Sequence, residues 1–456
     1  MSLEKLSQEA DLNGKAPEYK QELKRALTFW DLMIYGLIFM VPIAPFGIYG
    51  EVATGAKGMV ALAYVIGMIG MIFTALSYAR MSEAIPYSGS VYAYAQHGIN
   101  DTAGFFGGWL ILLDYIFVPA LLYLVSAAAL ADIVPQVPII IWLLIFIGIN
   151  TLINVLGIEF TAKTNKYILI AELIVLVIFV VAGIIAVAQH VNGAEFTFKP
   201  LYDKEHFSMA TVMGAVSIAV LSFLGFDAVS TLAEESKGGR KAIGNAIIGA
   251  LLLVGVMFII QTWVAALIWP DFTTFENVDT AFYQIAEIAG GTWLKWTTII
   301  ATVIAWGIAD ALVAQAAISR ILFSMARDRK LPHALSKVHP KFKTPFVATI
   351  VVAVISFIVT MFFSAQIGQL ASVINFGALT AFLLLHISVI NFYIRKKKSK
   401  NYFSHLVLPA IGFLIIAYVW INLDILAKKL GFTWLGIGVI YFAYLKFVKK
   451  DTKLEQ

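Results

Sequence analysis

Four carboxylates stand well inside long apolar stretches of this chain. They are Asp114 in LLDYIFVP, Glu172 in NKYILIAELIVLVIF, Asp227 in LSFLGFDAVSTLAEES and Asp310 in IAWGIADALVAQ. A charge at the centre of a membrane helix costs about 2.5–3.5 kcal/mol on insertion scales, so each acid is a candidate for function. No Lys or Arg lies at matching depth. A bound proton, a sodium ion or a cationic solute must therefore neutralise them. Asp227 is the most telling, because Gly225, just before it, weakens the helix. A second interruption faces it in the sequence, at Met40 to Gly50 (MVPIAPFGIYG), where Pro42 and Pro45 each remove a backbone donor. Backbone laid bare at membrane depth is tolerated only where it lines a cavity, and two interrupted helices in corresponding positions mark a transporter's binding site.

Each acid also has a plainer reading. Asp227 can gate or couple, or it can cap the second half-helix, since Asp accepts amide hydrogen bonds well at a helix start. Glu172, desolvated, can bind and release a proton near neutral pH, or it can hydrogen-bond a neighbouring helix. Asp310 can hold the far amine of a diamine, complete a cation site, or bond between helices. Asp114 reads better as structural, with Tyr115 beside it facing the solute. Phe46, Tyr49, Tyr115, Phe223, Phe226 and Trp306 offer aromatic faces to an ammonium group, at about 0.5–2 kcal/mol each. With Ala44, Gly47 and Gly225 at the breaks, the candidate substrate contacts are Ala44, Phe46, Gly47, Tyr49, Tyr115, Phe223, Gly225, Asp227, Trp306 and Asp310. Glu172 and Asp227 are the candidates for ion or proton coupling.

Other chemistries are poorly served. There is no Cys, and the seven His residues never fall at H-x-x-x-H spacing, so no metal-dependent intramembrane enzyme is expected. The basic loop Met325 to Pro345 lacks any G-x-x-x-x-G-K-[ST] and reads as an inner gate and anchor.

The elements that must position these residues are membrane helices. Of 456 residues 60% are hydrophobic and 13% charged, with a mean hydropathy of +0.85, against about 25% charged in a soluble domain. Twelve segments reach the ~20 apolar residues a span requires: roughly 28 to 50, 58 to 80, 104 to 130, 137 to 157, 164 to 189, 208 to 233, 241 to 269, 292 to 326, 345 to 364, 368 to 394, 404 to 427 and 431 to 448. With the N-terminus in the cytosol, 27 of the 33 Lys and Arg fall on the inner side, which fixes both termini there. The net charge of +5 is thus a matter of membrane anchoring, and no nucleic-acid partner is expected.

The broken segments start near 28 and 208, an offset of about 180 residues that spans five helices. An odd number forces the second copy to lie inverted. The expected organisation is a tail at 1–27, a first five-helix repeat at 28–190, an inverted repeat at 207–396, helices eleven and twelve at 403–448, and a tail at 449–456. Two further helices are expected beside the spans. Ser82 to Asn100 lies inside, and Asp271 to Gly290 lies outside as an amphipathic lid or brace carrying Phe272, Phe275, Phe282 and Tyr283.

Five stretches also carry a family resemblance: FTALSYARMSEAIPYSGSVYAYAQ, GGWLILLDYIFVP, LSFLGFDAVSTLAEES, ISRILFSMARDRKLP with VHPKFKTP, and VINFGALTAFLLLHISVI. They resemble the amino acid, polyamine and organocation (APC) superfamily of permeases, and most closely its bacterial putrescine importer branch. The resemblance implies a 5+5 inverted-repeat fold with discontinuous helices 1 and 6. In amino acid permeases of the superfamily the first break reads G-S-G-x-x-G, whose bare amides receive a carboxylate. Here PIAPFGIYG resembles the proline-containing importers, except that Gly47 stands where that branch carries an acid. Asp227 matches the family's GFD or GFE acid, and Glu172 falls where several proton-coupled members place a Lys.

The expected protein is an all-α, twelve-span secondary transporter of a bacterial inner membrane, not an enzyme. It imports a small organic amine such as putrescine, without a cofactor, driven by a proton gradient or, alternatively, by sodium. Its partners are that small molecule and the lipid bilayer, and no oligomeric state is read. A neutral or aromatic amino acid permease or exchanger is the alternative, and a channel or transporter-like sensor a remoter one. A channel should show a continuous polar stripe, which the sequence lacks.

Overall fold

The computed structural model describes residues 27–85, 90–157, 162–237, 240–327, 331–364 and 366–448. The polar tails at 1–26 and 449–456, and residues 86–89 of the expected inner helix, lie outside the described residues. Among those described, every regular element is helical, apart from one isolated bridge between Leu27 and Ser236. Ten helices are long and apolar enough to cross a membrane, and two shorter apolar ones run over Met209–Phe223 and Phe346–Phe362. Large apolar side chains point outward around the bundle, with Leu152, Ile184 and Ile440 more than half exposed. That is the surface of a multi-pass membrane protein rather than of a soluble one.

The first apolar segment forms α1 (Phe29–Met40) and the short α2 (Tyr49–Gly55). Thr28 and Asp31 start α1 with reciprocal caps, the Thr28 amide donating to Asp31 Oδ2 at 2.8 Å. Pro42 cannot continue α1, and Val41 turns out of it at φ +48°. A 3₁₀ turn at Ala44–Gly47 leads into α2. The Pro42 carbonyl, freed by the break, accepts from Gln261 Nε2 at 3.0 Å. Gln261 lies on α9 (Arg240–Ile268), which packs along both α1 and α3 (Val60–Ala84).

Three elements follow on the way to the second break: α4 (Ser90–Gly98), α5 (Asp101–Ile133) and α6 (Ile139–Leu156). The long α7 (Ala162–Ala188) then leads to α8 (Met209–Ala219), which tightens into a 3₁₀ turn over Val220–Phe223 and is interrupted at Leu224 and Gly225. Gly225 has φ +103°, and a Cβ there would stand 2.7 Å from the Phe39 carbonyl oxygen. Only glycine suits both demands, and the two breaks touch at this point. The chain resumes over Phe226–Glu235 as 3₁₀ turns rather than as the expected second half-helix. The lone amide of Asn375, on α14 (Ile367–Ile390), donates to the Ser217 carbonyl of α8.

Two other expectations are corrected. The outer segment is helical only over a 3₁₀ turn at Val278–Thr280, capped by Asn277, and α10 (Ala281–Gly290), because the Thr273 amide is held in a turn on the Asp271 side chain. Phe282 and Tyr283 are buried by it, not laid on a surface. The eighth apolar segment runs on as one span, as expected, but its helix is not regular throughout. It runs as α11 (Thr292–Thr302), a π-helical stretch Val303–Asp310 and α12 (Ala311–Arg327). After α13 (Phe346–Phe362) and α14, the chain closes with α15 (Leu408–Ile421) and α16 (Ile425–Ala443). The boundary between these last two falls earlier than expected, because Asp424 caps α16 by accepting from the Leu426 amide at 2.7 Å.

Candidate functional site

Two adjoining cavities open at the breaks. One, of about 130 Å³, is bounded by Val41 and Ala44 of the first break and by Gly225 and Asp227 of the second. Asp114 and Tyr115 of α5 and Trp306 and Asp310 of the π stretch complete its polar part. Leu121, Leu221 and Val313 are among its apolar walls. It is small beside the ~300–1,000 Å³ of drug-sized sites. The second cavity, of about 160 Å³, holds Glu172 of α7 and again Asp310, with Tyr35 and Ile168 near its rim. Phe39, Val41, Asp310 and Val313 line both.

The local fold explains why these side chains converge. Asp227 lies two residues past Gly225 at the start of the resumed chain, and its carboxylate is carried back toward α3 and α4. Tyr78 Oη donates to Asp227 Oδ2 at 3.4 Å and Ser90 Oγ at 3.5 Å, and these two hydroxyls lie 3.1 Å apart. Trp306 and Asp310 lie four residues apart in a π-helical stretch, where the extra residue per turn shifts side chains relative to a regular helix. The loosened Gly307 carbonyl accepts from Asn150 Nδ2 at 2.8 Å. In α5, Pro119 carries no N–H and leaves the Tyr115 carbonyl without its usual in-helix donor.

The charge balance is one-sided. Among the described residues, the ion pairs present involve none of Asp114, Glu172, Asp227 or Asp310. Glu172 and Asp227 are 6% and 7% exposed, and Glu172 Oε2 has no hydrogen-bond partner among the described residues. Such a site suits a cation and offers an anion little. The amides of Ala44 and Phe46, which might have received a carboxylate at the first break, already donate to Val41 and Ile43 at 2.7 and 2.9 Å.

Of the residues expected at the site, Ala44, Tyr115, Gly225, Asp227, Trp306 and Asp310 meet in the first cavity, and Glu172 meets Asp310 in the second. Four lie elsewhere. Phe46 stacks on Phe282 with centroids 4.0 Å apart and meets Phe179 at 5.8 Å, and Tyr49 abuts Phe275 and Phe282. Phe223 is wedged between Tyr64 and Phe258. Gly47 leaves no room for a bulkier ligand, because the Trp306 ring and Val125 fill the space over it, a Cβ there meeting them at 3.2 and 2.6 Å. Phe226 packs edge-on against Tyr78.

Asp114, which reads as structural in the sequence, lines the first cavity. The reading also passed over Gln261 and Asn375, whose signal was available: each is a lone amide inside an apolar run, MFIIQTWVAAL and SVINFGAL.

Known proteins resemble the chain along nearly its whole length. The family model described as amino acid permease matches residues 27–444. The low-affinity putrescine importer PlaP of Escherichia coli K12 is 32% identical over 92% of this chain and 94% of its own. The branched-chain amino acid permease BcaP of Bacillus subtilis is 28% identical over 96% of each, and the methylthioribose transporter of the same species 26% identical over 94% and 95%. All three are named as carriers of small solutes, and none as an enzyme. With a family match over so much of the chain, and with its broken helices and unpaired acids, this protein is a transporter that belongs to the amino acid permease family of the APC superfamily.

Proposed function

We propose that the protein imports a small organic amine, such as putrescine, by proton-coupled alternating access. The observation that carries the proposal is the first cavity, where three carboxylates face a small space without a basic partner. A solute bearing ammonium groups and no carboxylate balances that charge. The putrescine importer among the relatives supports the same reading. Coupling is assigned to Asp227, which is held by hydroxyls on α3 and α4, and to Glu172, with protons favoured over sodium.

The architecture proposed with it is a twelve-span bundle in a bacterial inner membrane, in contact with lipid and with both termini cytosolic. Ten long helices and two shorter apolar ones among the described residues support a count of twelve, and the interruptions at Pro42 and Gly225 support discontinuous helices 1 and 6. The tails are 1–27 and 449–456, the inverted repeats 28–190 and 207–396, and the last two helices 403–448. In this orientation the buried stack of Phe46, Phe179 and Phe282 lies outside the cavities. The conformation is then closed to the exterior.

A neutral amino acid permease is the second reading. The branched-chain permease among the relatives and the Leu and Val walls of the cavity favour it. A thermal-shift screen of the purified protein separates the two, since a ligand bound to the folded state raises its stability. Putrescine should raise the melting temperature and leucine should not. The opposite pattern assigns the site to amino acids.

A further inference from the structure

The two cavities share a wall, and its composition is unusual. Phe39, Val41 and Val313 line both spaces and are apolar, whereas Asp310, which also lines both, is acidic. Each cavity also holds acid that the other lacks. Asp114 and Asp227 stand in the first cavity and Glu172 in the second. Glu172 is 6% exposed, and its Oε2 has no hydrogen-bond partner among the described residues, so the second cavity holds a buried acceptor left unsatisfied there. A buried acceptor left unpaired is costly, more so if it carries charge, and a donor brought by a ligand removes that cost.

We propose that the two cavities form one elongated site for a linear diamine. One ammonium group sits at Asp114 and Asp227, the methylene chain passes the neck of Phe39, Val41 and Val313, and the second ammonium group reaches Asp310 and Glu172. The inference rests on the amine reading above and adds to it a requirement for two charged ends. A monoamine of the same length fills the neck but satisfies one pole only. An α-amino acid brings a carboxylate among four acids. Glu172 thereby becomes a determinant of specificity as well as a coupling group.

The test is equilibrium binding of 1,4-diaminobutane and n-butylamine to the purified full chain in detergent. In the parental protein the diamine should bind at least about tenfold more tightly, as expected for one added charge-assisted pair. Glu172→Gln should cut that ratio by roughly tenfold, and Glu172→Asp should restore part of it. Because the ratio is read within each variant, a general loss of folded protein does not mimic the effect. A ratio near one in the parental chain, or an unchanged ratio in Glu172→Gln, overturns the two-ended site while leaving amine transport standing. Binding of leucine with neither amine bound overturns the amine reading and this inference together.

Discussion

At the scale of single residues, the account turns on acids that lack partners and on glycines that allow close approach. Asp227→Asn keeps a side chain that can accept from Tyr78 and Ser90 but carries no charge. Accumulation of substrate should be lost while the melting temperature stays near the parental value, and uptake at the parental rate would remove Asp227 from the coupling step. Gly225→Ala meets both a positive φ, at about 1–2 kcal/mol, and the Phe39 carbonyl at 2.7 Å. The variant should melt measurably lower in detergent. Gly47→Ala is a different case, since its Cβ presses on Val125 and Trp306. It should push Trp306 toward the cavity and weaken substrate binding several-fold, as read by titration. The charged residues of the site were legible in the sequence because charge in an apolar run is conspicuous. The aromatic ones were legible only in part, since Tyr115 and Trp306 do line the first cavity and three others do not. Phe46, Tyr49 and Phe223 lie close in sequence to the breaks, yet a ring near a break is as easily buried against Phe282 or Phe258 as turned to the ligand.

At the scale of elements, the breaks could be read from proline and glycine, but their support could not. Pro42 and Gly225 announce where a helix stops. What holds the Pro42 carbonyl is Gln261 of a distant helix, and Asn375 of another donates to Ser217 ahead of the second break. The π stretch at Val303–Asp310 has no sequence mark either, since its residues suit a regular helix; within it the Gly307 carbonyl accepts from Asn150 of a distant helix. Gln261→Leu should therefore destabilise the protein by about 1–3 kcal/mol, the cost of a buried carbonyl left without a donor. Chemical denaturation in detergent reads this directly. An unchanged midpoint would show that the Pro42 carbonyl finds another partner. The outer segment failed as a long helix because Asp271 bonds its own following backbone, a local competition with helix that such residues often win, and helix starts only after Asn277 caps the turn at Val278–Thr280.

At the scale of the whole molecule, the bundle presents an outward apolar surface and a central space whose formal charge is negative. Uptake into proteoliposomes should rise as the external pH falls and should collapse with a protonophore. Under the same conditions Glu172→Gln should retain exchange but lose gradient-driven accumulation. Strict dependence on sodium at constant pH would instead assign Glu172 and Asp310 to a sodium site. The central claim is that this space selects ammonium groups without a carboxylate. The most direct measurement is competition for uptake into proteoliposomes by putrescine and by ornithine, which has the same two amines and adds a carboxylate. Putrescine should compete the better of the two. Stronger competition by ornithine would contradict the account and show that the first break still presents amides able to hold a carboxylate.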